Sequence, residues 1–219
     1  ALDWYNSADP RPDYYRYLPS YQLDPNFAAQ QLEAMKNDIN LRQVNWDRLY
    51  NVNYGNIATV NDVNGISGND VTGRRSLYII EERIVNTSRA NVNSVLNTSI
   101  AKNIDFTAGA SYQYQKNHYY KEVNDLLGGD FYVDLNQFAE RDFATDPKAN
   151  QNDLNRPNRI LKVGDEFGYN YDINIKRAAA WMQAVVKFRK IDFFLAAEHS
   201  YTQFFRNGRT QVGLFPENS

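Results

Sequence analysis

Residues 90–115 read ANVNSVLNTSIAKNIDFTAGASYQYQ, and this stretch decides the fold. Ala90, Val92, Leu96 and Ile100, then Ile104, Phe106, Ala108, Ala110, Tyr112 and Tyr114, occupy even positions. Odd positions carry Asn91, Asn93, Asn97, Ser99, Asp105, Thr107, Gly109, Ser111, Gln113 and Gln115. A period of two sends the two sets to opposite faces of a β-strand. The interruption at Ala101-Lys102-Asn103 is short and polar. Setting Ile100 opposite Ile104 closes a tight hairpin with both apolar stripes on one side.

A second pair has the same plan. Ala178, Ala180, Met182, Ala184, Val186 and Phe188 alternate with Ala179, Trp181, Gln183, Val185 and Lys187. After Arg189-Lys190-Ile191-Asp192 come Phe193, Leu195, Ala197, His199 and Tyr201 on one parity. Phe188 is expected opposite Phe193. One apolar face and one amide-and-hydroxyl face, over about ten residues per strand, is the pattern of a transmembrane β-barrel wall. An antiparallel sheet with one face on a soluble core has the same alternation, so both readings stand at this point.

Composition narrows the classes. The 219 residues include no cysteine, 16 Tyr and 12 Phe, and carry a formal net charge of -2. That charge provides no basic footprint for nucleic acid. No run approaches the ~18 consecutive apolar residues of a transmembrane helix. A mean hydropathy of -0.66 is compatible with a barrel, in which half of every strand and all of every loop are polar. A closed barrel needs at least about eight strands, so the chain is expected to be an internal piece of one.

Along the chain, residues 1–76 read as a loop region with short helices. Pro10, Pro12, Pro19 and Pro25 punctuate a run rich in Tyr5, Tyr14, Tyr15, Tyr17 and Tyr21. Asp24-Pro25-Asn26 starts a helix reaching about residue 40, and Asn45 caps a second helix over residues 45–52. Residues 56–75, rich in Asn, Asp and Gly, read as flexible loop. Residues 77–120 form the first hairpin, whose upper half outruns a bilayer crossing. Residues 121–168 make a second long connection, with a helical turn over residues 134–140. Residues 169–207 form the second hairpin, and residues 208–219 begin the next loop. Loops this long are uncommon in compact domains and are usually functional or disordered. Both lie opposite the tight turns, which favours the barrel, whose periplasmic turns are short and extracellular loops long. The expected fold is therefore all-β: an antiparallel barrel segment of four long strands with two large extracellular loops.

The loop blocks carry a resemblance. DWYNSADPRPDYYRYLPSY (residues 3–21), NWDRLYNVN (45–53), RSLYIIEERIV (75–85), YYKEVNDLLGGDFYVDLNQFAERDF (119–143) and QNDLNRPNR (151–159) resemble, in this order, outer-membrane TonB-dependent receptors of Bacteroidetes. The likeness is to members with a carboxypeptidase-like regulatory domain before the plug, and covers nearly the whole chain. It implies a barrel of about 22 strands around an N-terminal plug, driven by an inner-membrane energy-transducing complex. The implied role is energised nutrient uptake in the outer membrane of a Gram-negative cell. The plug, the TonB complex and a surface lipoprotein would be the partners, the first two through parts of the protein outside this chain.

Parity and position set the site expectations. Leu96, Ile100, Ile104, Phe106, Ala108, Val186, Phe188, Phe193 and Leu195 are expected to face lipid. Asn93, Asn97, Thr107, Gln113, Gln183 and Lys187 are expected to face the lumen, against the plug or along the path. Tyr112, Tyr114, Phe188, Phe193 and Tyr201 stand near the stripe ends, where aromatic girdles sit; Trp181 has the polar parity and fits them least. Tyr14, Tyr15, Tyr17, Tyr119 and Tyr120 are candidate substrate contacts, each an apolar ring with a hydroxyl handle. The same tyrosines also serve as packing for the loops.

No cofactor and no catalysis are expected. His118 and His199 lack partners at ligand spacing. Asp62-Val63-Asn64-Gly65 and Gly128-Gly129-Asp130 resemble calcium loops without completing the oxygen-ligand pattern, although oxygen-rich loops leave room for calcium. Asp125, Asp130, Asp134, Glu140 and Asp142 read as loop charges. No nucleophile elbow, Walker loop or HExxH run occurs. The alternative to the transporter is a soluble β-rich carbohydrate-binding or adhesion module, in which Phe106, Ala108, Val186 and Leu195 face a protein core.

Overall fold

The computed structural model describes residues 1–217. Its main sheet is open, antiparallel and five-stranded, in the order β1 (Leu2–Trp4), β4 (Tyr78–Ala101), β5 (Ile104–Asp125), β8 (Glu166–Lys187) and β9 (Asp192–Gly208). β4 runs for 24 residues and β5 and β8 for 22 each, so each is about 70–80 Å long at about 3.3 Å per residue. Tyr78–Ala101 is thus one continuous strand. β1 has no counterpart in the sequence pattern; it pairs only with Tyr78, Ile79 and Ile80.

Register obeys the apolar pattern. Bonds between Ser99 and Asp105, Asn97 and Thr107, Arg89 and Gln115, and Thr87 and Asn117 keep one spacing along β4 and β5. Continued one residue toward the turn, that spacing sets Ile100 opposite Ile104. In the second hairpin Phe193 pairs with Val186, and Lys187 with Asp192, so the expected Phe188–Phe193 pairing is corrected by two residues. A slip of two leaves every side chain on its face. The Phe188 and Phe193 rings still meet edge to face, 5.9 Å between centroids.

Short elements occupy the long connections. α1 (Pro25–Asn37) starts on Asp24, whose carboxylate accepts from the Asn26 N–H, and Pro25 fits the first turn, where no donor is needed. It stops before residue 40 because Asp38 caps a separate 3-10 turn, Ile39–Arg42. α2 (Trp46–Gly55) is capped by Asn45, as expected. Residues 56–75 depart from the flexible-loop reading: β2 (Ile57–Val60) and β3 (Val71–Arg74) pair as a hairpin. A small pair also joins β6 (Tyr132–Val133) to β7 (Ile160–Leu161). α3 (Gln137–Asp142) begins three residues later than the expected turn because Asn136 supplies the cap.

The chain divides into two compact units. The core unit comprises Ala1–Arg83, Lys121–Tyr169 and the segment from Thr210. It holds three hydrophobic clusters, built around Ile79 and Leu161, around Phe131 and Val133, and around Leu49, Tyr78 and Leu127. Asn53 on α2 is fully buried there. Its amide donates to the carbonyls of Tyr78, Leu126 and Leu127 at 2.8, 3.0 and 3.1 Å. Its carbonyl accepts from the N–H groups of Leu77 and Tyr78. One side chain thereby ties a helix to the start of β4 and to the turn after β5.

The strand unit comprises Ile84–Tyr120 and Asn170–Arg209. Among the described residues it contributes no buried hydrophobic side chain, although Asn117, Asn170, Asp172 and Asn174 are buried. β9 and the length of β4 from Val85 onward are exposed on both faces.

Candidate functional site

Alternation divides the strand unit into two chemically distinct faces. On one lie the even residues of β4, β5 and β8 and the odd residues of β9, since Ala178 pairs with Tyr201, Ala184 with Leu195 and Val186 with Phe193. Leu96, Ile100, Phe188, Phe193 and Leu195 of this face are exposed, Leu195 by 74%. Ile104, Phe106, Ala108 and Val186 are half-buried among neighbouring strand residues. His199 lies on this face too, opposite Ala180. The core that the soluble reading places beneath Phe106 and Leu195 is not supplied by the described residues.

On the opposite face Asn97 accepts from Thr107 at 2.9 Å, and the Lys187 ammonium donates to Asp105 at 2.6 Å. Asn93 and Gln113 share that parity, and Gln183 sits opposite Ala196. Trp181 also lies here, over β5, rather than in a girdle. Gly109 makes room for it: a Cβ at that position would stand 2.6 Å from the indole Cε2. The sequence showed a glycine inside a strand without showing what it admits.

The five candidate tyrosines separate. Tyr14, Tyr15 and Tyr17 belong to the core unit and gather edge to face, with Tyr21 against Tyr15. Tyr119 and Tyr120 belong to the strand unit, and as adjacent residues of β5 they take opposite faces. Tyr119 stacks on Tyr171 at 5.2 Å and Tyr120 on His118 at 4.6 Å. The Arg206 guanidinium lies 4.5 Å from the Tyr171 ring centre.

Of the five, Tyr17 lines a cleft of about 420 Å³ in the core unit. Its hydroxyl donates to the Asp9 carbonyl at 3.0 Å, and the Gln31 amide donates to the Tyr17 carbonyl. Pro10, Met35, Leu41 and Leu49 form apolar walls, and Asn40, Gln43 and Arg48 are at the rim. The Gln31 carbonyl oxygen is buried with no hydrogen-bond partner. With essentially no accessible surface, that oxygen is sealed within the fold and does not face the cleft. Sequence reasoning did not single out Gln31 or Arg48: a half-buried helix glutamine and a solvated arginine carry no periodic signal.

A second concentration of chemistry surrounds Lys121. Its ammonium pairs with Glu81 at 2.8 Å and Asp3 at 3.2 Å, and lies 4.3 Å from the Phe167 ring centre. Arg83 closes on Glu81 at 2.6 Å. Burial alone works against the Lys121 charge, but Asp3 and Glu81 raise its pKa above the usual lysine value. Burial opposes ionisation of Glu81 as well, and Lys121 and Arg83 reverse that, holding it below the usual carboxylate range. Nearby, burial and a hydrogen bond to Glu140 push the Tyr5 phenol up to about 12. These groups bind the first strand and α3 into the core unit.

The sign of the resulting pH dependence is fixed. Above the ordinary tyrosine value, an unfolded Tyr5 loses its proton while the folded one keeps it up to about 12, so stability falls with rising pH in that window. Lys121 acts in the same direction, its contribution being present below the unfolded lysine pKa and lost as pH rises through the raised one. Near-UV circular dichroism and phenolate absorbance, monitored from about pH 9 to about pH 12, should show core-unit packing lost with the last phenol to ionise. Burial also pushes the Tyr132 phenol well up, so Tyr5→Phe should lower the late amplitude by one phenol; a late amplitude unchanged by Tyr5→Phe would refute the assignment.

Loop carboxylates have internal partners. Asp62 accepts from the Gly68 N–H at 2.8 Å, and Asp125 from the Leu127 N–H. The Arg74 side-chain and backbone bonds hold Asp130 down at about 2. Burial raises Asp134, which accepts from Asn152 and Gly168. Asp142 pairs with Arg141. Among the described residues no group of three or more His, Asp or Glu side chains converges on a metal position, and no helix is long and apolar enough to cross a membrane. No protein-family model and no curated protein matches the chain.

Proposed function

We propose that this chain is part of a TonB-dependent outer-membrane receptor of the Bacteroidetes type: a panel of barrel wall and two extracellular connections. The observation that carries the reading is the bare apolar face of the strand unit. Contiguous exposed apolar surface of this kind marks a protein, ligand or membrane interface. Ile104 to Tyr114 spans about 33 Å along its strand, or about 25 Å of depth at a tilt of ~40°, which matches the apolar band of outer-membrane barrels. Between Ala90 and Tyr114 and between Ala178 and Tyr201 the charged and amide side chains of the strands lie on the other face, which suits a lumen, so Asn93, Asn97, Thr107, Gln113, Gln183 and Lys187 contact the plug or line the path. The open edges of β4 and β9 are continued by further strands of the same barrel, because an uncovered edge of that length is a template for pairing. Plug, energy-transducing complex and surface lipoprotein are partners of the whole receptor. The core unit contributes to capture of the nutrient outside the cell.

Placement of the two faces is testable. Leu195→Trp and Phe194→Trp, each in a chain whose three native tryptophans are replaced by phenylalanine, are folded into bilayers containing brominated acyl chains. Trp at position 195 should be quenched strongly and Trp at position 194 weakly. Equal quenching, or none at either position, would remove the membrane reading. It would leave the soluble module, whose apolar face must then be covered by another protein.

A further inference from the structure

We propose that the two tight turns of the strand unit bind the headgroup of an anionic phospholipid, and that a trough beside the second turn takes the start of its acyl chains. In the barrel described above, on which this site depends, these turns stand at the periplasmic surface, beside the inner leaflet. Sheet order sets them side by side. β5 neighbours β8, and the Lys187 N–H donates to the Asn103 carbonyl at 2.8 Å. Lys102 of the first turn is thereby brought beside the second, which carries Arg189 and Lys190.

Positive charge is left in excess there. Four cations, Lys102, Lys187, Arg189 and Lys190, stand against two carboxylates, Asp105 and Asp192. Lys187 pairs with Asp105 at 2.6 Å, and its partner across the strands is Asp192. Lys102, Arg189 and Lys190 are exposed, and their side chains have no ion pair or hydrogen bond to described residues. Farther along the strands, by contrast, Lys116 and Arg209 share Asp172, and Arg177 pairs with Glu198.

Apolar side chains accompany these cations. Phe188, Ile191 and Phe193 are each more than half exposed, and with Arg189 and Lys190 they line a trough of about 490 Å³. Aromatic rings at the end of a lipid-facing stripe sit at headgroup level, and cations just beyond them meet phosphate. Guanidinium and ammonium groups make strong, charge-assisted bonds to phosphate oxygens. A free anion would satisfy the cations and leave the trough bare, and a zwitterionic headgroup brings an ammonium of its own. An anionic phospholipid satisfies both parts of the site.

The whole chain is folded into vesicles of phosphatidylcholine and phosphatidylglycerol in equal amounts, with brominated acyl chains on one lipid or on the other. Ile191→Trp reports on the turns and Tyr201→Trp on the far end of the stripe, each in a chain whose three native tryptophans are replaced by phenylalanine. Quenching at position 191 should show phosphatidylglycerol enriched about fivefold, the preference expected of roughly one cation at an anionic surface. Position 201 should be quenched alike by both lipids. Lys102→Gln, Arg189→Gln and Lys190→Gln together should erase the preference at position 191 while leaving the summed quenching unchanged, which shows the reporter at the same depth. Inorganic phosphate should erase it no better than chloride of equal ionic strength. Equal quenching by the two lipids at position 191, an equal preference at position 201, a preference that survives the triple variant, or specific displacement by phosphate overturns the lipid site and leaves the barrel standing. Absence of quenching at both positions removes the barrel reading and the site together.

Discussion

Asn53→Ala should be the most destabilising single substitution in the core unit. It leaves the carbonyls of Tyr78 and Leu127 and the N–H groups of Leu77 and Tyr78 without their side-chain partner, while the Leu126 carbonyl keeps the Ser76 hydroxyl. A buried polar group left unpaired costs about 1–3 kcal/mol, so several together amount to roughly 5 kcal/mol. Water cannot make up the loss without opening the site, because Asn53 is fully buried and Leu49, Tyr78 and Leu127 pack beside it. Hydrogen exchange locates the effect: the Leu77 and Tyr78 amides should lose protection, and limited proteolysis should cut near α2. Asn51→Ala, on an exposed position of the same helix, should change neither. Retained protection at Leu77 and Tyr78 in the Asn53 variant would show that the five bonds are dispensable.

Ala184→Arg should weaken folding into bilayers by roughly 2–4 kcal/mol, the penalty for a cation at mid-depth on a barrel's lipid face. Ala184 pairs with Leu195, between the Ala178–Tyr201 pair near one end of the stripe and the Phe193 pair near the other. No residue of the opposite face can rescue the charge, since the alternation that exposes Ala184 also screens it from the polar groups. Gln183→Arg, one residue away and facing Ala196, should cost little. Denaturant titrations of both variants folded into lipid vesicles give the comparison. Equal penalties at positions 183 and 184 would mean that the two faces meet the same solvent.

Much of the strand architecture was legible because a period of two is a direct record of which way each side chain points. The stripes from Ala90 to Tyr114 and from Ala178 to Tyr201 lie within β4, β5, β8 and β9, and Asn45 and Asp24 cap the helices they were expected to cap. Elements stabilised by distant partners were not legible. Residues 57–74 are short, polar and interrupted by Gly and Asn, so nothing local announces β2 and β3; packing of Val60 and Val71 against Phe131 makes them. β1 is three residues long and is held by Tyr78–Ile80. The cleft was half legible. Its tyrosine was picked out by composition, but the bond from the Gln31 amide to the Tyr17 carbonyl is one that only three-dimensional neighbours can reveal.

The pairing partners of the two hairpins bear on the turns that join them. In the first hairpin odd residues meet odd ones, Ser99 with Asp105 and Asn97 with Thr107. In the second, odd residues meet even ones, Trp181 with Glu198 and Ala179 with Ser200. The number of residues between the last paired positions sets this phase, and sliding an unchanged turn along the chain cannot alter it. Each tight turn therefore works as a reading-frame marker for the strand after it. A residue added to a turn that lengthens to hold it would be silent, whereas one added to a turn that keeps its length would slip the pairing by one and turn the entire next strand inside out, exchanging every side chain meant for lipid with one meant for water.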